Sequence, residues 1–112
     1  MGVSCHFYTI HGIKIAWDES FNEAYDEVYN DKDTPFILFD GMGGEYIIFG
    51  NIIFNSGDMR WGFEDGDSFR EIDMLQIPID EIAYKEFFKK KFPNFAHYME
   101  TPFKIMTLVH YS

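Results

Sequence analysis

Along the chain, the spacing of apolar residues alternates between the period of a strand and that of a helix, and each switch predicts an element. Residues 3–17, VSCHFYTIHGIKIAW, are dense in β-branched and aromatic side chains. Broken by Gly12, they predict two strands joined in a hairpin at His11-Gly12. Phe21, Ala24, Tyr25, Val28 and Tyr29 then fall at i, i+3, i+4, i+7 and i+8, which is one stripe of a helix. Glu19, Glu23, Asp26 and Glu27 occupy its other face. Ser20 followed three residues later by Glu23 has the spacing of a capping box, so the helix is expected to start there.

FILFD (36–40) and EYIIFGNIIFN (45–55) predict strands separated by the turn GMGG, with a bend or bulge at Gly50. MRWGFE (59–64) and SFREIDM (68–74) predict further short strands around the tight turn DGD, so the centre of the chain is expected to form a meander. From Pro78 the helical period returns. Asp80 is placed to cap EIAYKEFFKKKF (81–92), whose apolar side would be Ala83, Tyr84, Phe87, Phe88 and Phe92. Glu81 with Lys85, and Glu86 with Lys90, are favourable i,i+4 pairs. Pro93 must end or kink that helix. NFAHYM adds a short helical turn, and FKIMTLVHYS (103–112) predicts a last strand inside the sheet or beside the first hairpin. The predicted class is α+β: an antiparallel sheet of about five to seven strands with two helices packed on one face. At 112 residues the chain is expected to form one compact domain, 1–112.

Composition supports a packed core, with 46% hydrophobic and 20% aromatic residues. The aromatic surplus leads to an expectation of exposed rings, a common feature of binding surfaces. Charge is more informative. The formal net charge is −10, but residues 18–81 hold seventeen acids against three bases (Lys32, Arg60, Arg70), net −14, while the rest of the chain is net +4. Such a block repels nucleic-acid phosphates and draws in basic partners, which excludes direct nucleic-acid binding by it. The single Cys5 excludes an internal disulfide framework and fits a reducing compartment. MGVSCHFYTI has no basic segment ahead of an apolar run, so no signal peptide is read there. It starts like a lipidation signal, but His6 stands where Ser or Thr is required. No run approaches the ~20 apolar residues of a membrane span. The expectation is a cytoplasmic protein with no membrane partner.

Candidate chemistry centres on GFEDGDSFREID (62–73), with five carboxylates and Trp61 just before it. A calcium loop needs oxygen ligands at alternate positions, a central glycine and a closing glutamate; that spacing is missing. A glycosidase pair needs two carboxylates about 5–10 Å apart across a sugar-sized cleft, for which a chain this short leaves little material. His6, His11, His97, His110 and Cys5 show no zinc spacing. Cys5 as a nucleophile would need a distant His as its base, and a lone thiol in a strand is more often a core residue. GMGGEY leads into a strand rather than the helix that a phosphate cradle requires. Lys89, Lys90 and Lys91 suit the C-terminal end of a helix dipole. No cofactor and no metal are therefore expected.

What remains is the acidic surface. The residues assigned to it are Asp18, Glu19, Glu23, Asp26 and Glu27 on the first helix, with Asp58, Arg60, Trp61, Glu64, Asp65, Asp67 and Glu71 in the central segment. Trp61 supplies the kind of anchor that dominates interface energetics. The expected function is a non-enzymatic inhibitor that occupies a basic surface of a partner protein. If that surface serves nucleic acid, the carboxylates stand in for phosphates. Phage-type anti-defence proteins and immunity proteins against nucleases follow this logic, an analogy of composition and not of kinship. The alternative is a small-molecule-binding domain or small enzyme with an aromatic-lined pocket. A homo-oligomer associating through the aromatic surface is the third reading.

Overall fold

The computed structural model of the protein describes residues 5–28, 34–58 and 71–111. In chain order the elements are β1 (Cys5–Ala16), α1 (Glu19–Asp26), β2 (Ile37–Phe39), β3 (Tyr46–Asp58), α2 (Ile77–Lys91), a 3₁₀ helix (Pro93–Glu100) and β4 (Lys104–Tyr111). The strands form one antiparallel sheet in the order β2-β3-β1-β4, and both helices and the 3₁₀ helix pack on one side of it. The class is α+β, with four strands among the described residues against the five to seven expected. MRWGFE lies outside the described residues. The described part of SFREIDM is a loop: the Asp73 carboxylate accepts from the Leu75 N–H, and the chain turns directly into α2.

The hairpin expected at His11-Gly12 is absent, because β1 runs unbroken through both residues. Gly12 is paired with Gly50 of β3, and the two backbones approach closely. A Cβ on Gly12 would lie 2.0 Å from the Phe49 carbonyl oxygen, and one on Gly50 would lie 2.4 Å from that of His11. The glycine pair is a corner, not a turn. The Tyr46 hydroxyl and His110 Nδ1 are 2.9 Å apart, yet Tyr46 is paired with Ala16 and His110 with His6, ten positions apart on β1. A straight strand would separate those positions by ~33 Å. The sheet therefore folds over at the glycines into two halves that face each other, as at the corners of orthogonal β-packings.

The inner half-faces meet in a core of Tyr8, Ile10, Leu38 and Ile48. Ile10 and Ile48 are thereby fully buried with no helix above them. The bulges lie away from Gly50. Register slips occur between Thr9 and Ile10 and between His6 and Tyr8, the second beside Gly57, whose φ of 74° suits a glycine. There the Phe7 N–H bonds to the buried Ser56 hydroxyl.

On the helix side, Phe21 of α1 is fully buried, and its ring touches those of Phe39, Phe49, Phe88, Phe92, Phe95 and Tyr98. Much of the aromatic surplus is thus core. Asp18, not Ser20, caps α1: its Oδ1 accepts from the backbone N–H groups of Ser20 and Phe21. α2 starts at Ile77, three residues before Asp80, with Pro78 in its first turn, where a missing N–H costs nothing. Of its predicted apolar side, Tyr84 and Phe88 are buried, followed by Phe92 past the helix end, whereas Ala83 and Phe87 are exposed. The Tyr84 hydroxyl donates to the Phe36 carbonyl at 2.6 Å, fixing α2 to the chain that enters β2. Among the described residues, no helix is long and apolar enough to cross a membrane.

Candidate functional site

The acids assigned to the interface divide by what holds them. Both Asp18 oxygens are occupied: one caps α1, and the other accepts from the Tyr98 hydroxyl. Burial, together with the Asp18 carboxylate, pushes the Tyr98 phenol up to about 12. Asp18 is thus a brace between α1 and the 3₁₀ helix. Glu19 accepts from the Trp17 indole N–H at 2.8 Å. Glu23, Asp26 and Glu27 are exposed.

Glu45 joins this group although sequence spacing did not connect it. Its carbonyl accepts from the Trp17 N–H, which sets the β2–β3 turn against the start of α1. Only the β1–β3 register makes the two neighbours. Asp40, in the same turn, is buried. Its oxygens accept from the backbone N–H groups of Gly43 at 2.9 Å and Glu45 at 3.0 Å. The Gly43 and Glu45 bonds hold its carboxyl below the usual range, and His110 adds to this. Asp40 clamps the turn.

Of the central segment, Asp58 ends β3 opposite His6, while Arg60, Trp61, Glu64, Asp65 and Asp67 lie outside the described residues. Glu71 is exposed and borders a cleft of about 230 Å³, with Asp73, Asp80, Ile52, Ile53 and Ile72 among its walls. Around that cleft stand large aliphatic side chains in water: Met74 is 67% exposed, Leu75 84%, and Ile79 and Ile82 about as much as Met74. Sequence reasoning missed them as a group. The signal was present, because α2 carries two apolar stripes, Tyr84/Phe88/Phe92 and Ile79/Ile82, and a helix on a sheet buries only one.

The structure therefore brings α1 and the 40–45 turn together at the Tyr46 end of β3, and sets the 71–82 acids beside Ile52 and Ile53, beyond the glycine corner. These are two patches in one helical layer, six residues apart along β3 with the glycine corner between them. The layer is not uniformly negative. Lys91 shares a small cleft with Glu27 at the end of α1, and Lys85 pairs with Glu81 at 2.8 Å. Burial opposes ionisation of Glu81, but Lys85, the Phe103 N–H and His11 outweigh it and keep its carboxyl below the usual range. Glu81 thus ties α2 to the buried His11 of β1, 3.6 Å away. Among the described residues, no three His, Cys, Asp or Glu side chains are grouped to hold a metal ion.

The chain matches no family model, and no curated protein and no solved structure is similar to it.

Proposed function

We propose that the protein is a non-enzymatic binding module that inhibits a partner by covering a basic surface on it. The observation that carries this reading is the interleaving on residues 71–82, where Glu71, Asp73 and Asp80 alternate with the exposed Ile72, Met74, Leu75, Ile79 and Ile82. Charge alone serves solubility. Large aliphatic side chains held in water beside it have no such use, and exposed apolar surface rimmed by charge is typical of interaction sites. In this proposal the aliphatic residues fill pockets at the centre of the contact. The acids pair with lysines and arginines at its rim, aided by Glu19, Glu23, Asp26 and Glu27. Where the partner's surface serves nucleic acid, the carboxylates take the place of phosphates and release the same counterions.

The test is affinity capture from a nuclease-treated lysate with three baits: wild type, Leu75→Glu, and a Glu23→Lys/Asp26→Lys/Glu27→Lys variant. A partner retained by wild type, lost with both variants and eluted by moderate salt supports the reading and identifies the target. Retention that ignores salt and both sets of substitutions would end it.

A further inference from the structure

The two edges of the sheet are unlike. β2 has three residues, a length at which an edge offers little to pair with. β4 has eight, KIMTLVHY, and among the described residues its only neighbour is β1. Its sequence contains neither proline nor acid, and its one permanent charge, Lys104, stands at its start. On its outer face Ile105 is 52%, Val109 45% and Tyr111 55% exposed. Natural edges are normally blunted by charge, proline or brevity, and this one is not. Along its inner side runs a groove of about 280 Å³ between Met106–Val109 and the residues Lys14, Tyr46 and Ile48 of the facing half.

We infer that a second copy of this chain pairs here, β4 against β4 and antiparallel, about a two-fold axis at Thr107. The sequence is complementary to itself in that register. Thr107 meets Thr107, Ile105 meets Val109 on the outer face, and Met106 meets Leu108 on the inner face, where both extend over the groove. Lys104 meets His110, which is bonded to Tyr46, so the two permanent charges of the paired strands lie at opposite ends and no like charges are opposed. Charge also selects this edge over the rest of the molecule. Two chains of net −10 repel wherever acid faces acid, and residues 101–111 contain none. Pairing one strand buries less than the ~1,200 Å² of a standard interface, so the dimer forms in the tens to hundreds of micromolar, roughly.

Two measurements on the full chain decide the matter. Mass by sedimentation from ~10 µM to ~1 mM should rise from monomer toward dimer, and Val109→Lys should hold it at monomer with an unchanged melting curve. In a Cys5→Ser background, Thr107→Cys should give a disulfide-linked dimer on mild oxidation. Directly opposed antiparallel residues place their Cα atoms about 4.5–5.5 Å apart, inside the disulfide range. Val109→Cys should not cross-link to itself, because the two copies lie ~13 Å apart in that register, yet it should cross-link to Ile105→Cys in a mixture. A monomer across the whole range, a dimer indifferent to Val109→Lys, or a Val109→Cys homodimer in place of the Thr107→Cys one would each overturn the inference.

Discussion

The two halves of the bent sheet share both long strands and one inner core, yet their outer faces have different fates. Beyond the glycine corner, Ile13, Ile37, Ile47 and Phe49 point out of the sheet and are buried under α1, α2 and the 3₁₀ helix. Before it, Ile105, Val109 and Tyr111 occupy the equivalent face and stand in water. Both halves alternate with the period of two that marks a strand. The difference teaches that alternation reports which side chains share a face and not what lies above that face. A helix connection follows Ala16 and precedes β2, so the first half is covered; over the second the described chain places only the start of α2, which reaches Asn51 and His11 next to the corner and leaves the β4 edge bare.

The strongest way to test that contrast is to truncate one residue on each side. Phe21→Ala should lower the free energy of unfolding by about 3–5 kcal/mol, much of the ~5–15 kcal/mol of an ordinary domain. Ile105→Ala should change it by roughly 0.5 kcal/mol. Equal losses in urea unfolding would mean that the second half is covered after all. Next in size is the corner itself. Gly50→Ala drives a Cβ into the His11 carbonyl, so β1 and β3 must separate, at a cost of about 1–3 kcal/mol. A variant of wild-type stability would show that the close approach is not required.

Tyr46→Phe removes the one hydrogen bond described between the tips of the two halves and should cost ~1 kcal/mol, leaving the Phe21 side unaffected in near-ultraviolet dichroism. The smallest effects appear only in acid. Burial holds His110 below its ordinary value, against the pull of Asp40. The unfolded chain therefore takes up that proton first, and stability should begin to fall as the pH drops below ~6.5. The Asp40 carboxyl is also lowered, so its contribution is intact above ~4 and is lost as the pH falls through its folded value. Asp40→Asn should flatten that lower step and, with its pull on His110 gone, deepen the upper one in a series of urea midpoints taken against pH.

Much of the local structure was legible. The stripe from Phe21, the Tyr84/Phe88 face, the stop at Pro93 and the existence of the last strand all follow from periodicity and from proline chemistry, while the place of that strand at the edge beside β1 does not. The corner was not. A glycine after a histidine gives the same local signal for a turn as for a bend, and only Gly50, 38 positions later and paired with Gly12, decides between them. The charge of the candidate surface was legible in the same limited way. Asp18 and Asp40 look like Glu23 or Asp26 in sequence, but the first two are held by backbone N–H groups and a phenol, a distinction set by tertiary neighbours. The aliphatic partners at 72–82 were hidden because Ile72 and Met74 were read as part of a strand, and the helix was started at Glu81 with Ile79 and Ile82 left off its apolar side.

The place of β1 also bears on how this chain is made. It is the first strand, yet it lies between β3 and β4, so that Cys5 is matched to Tyr111 and Gly12 to Lys104. On a ribosome adding about 5–20 residues each second, β1 waits several seconds for its second neighbour, with Tyr8 and Ile10 awaiting Met106 and Leu108. Pairings this distant in sequence place folding in the slow, millisecond-to-second class. The nascent chain thus has to keep its first strand from finding other company until its last one arrives.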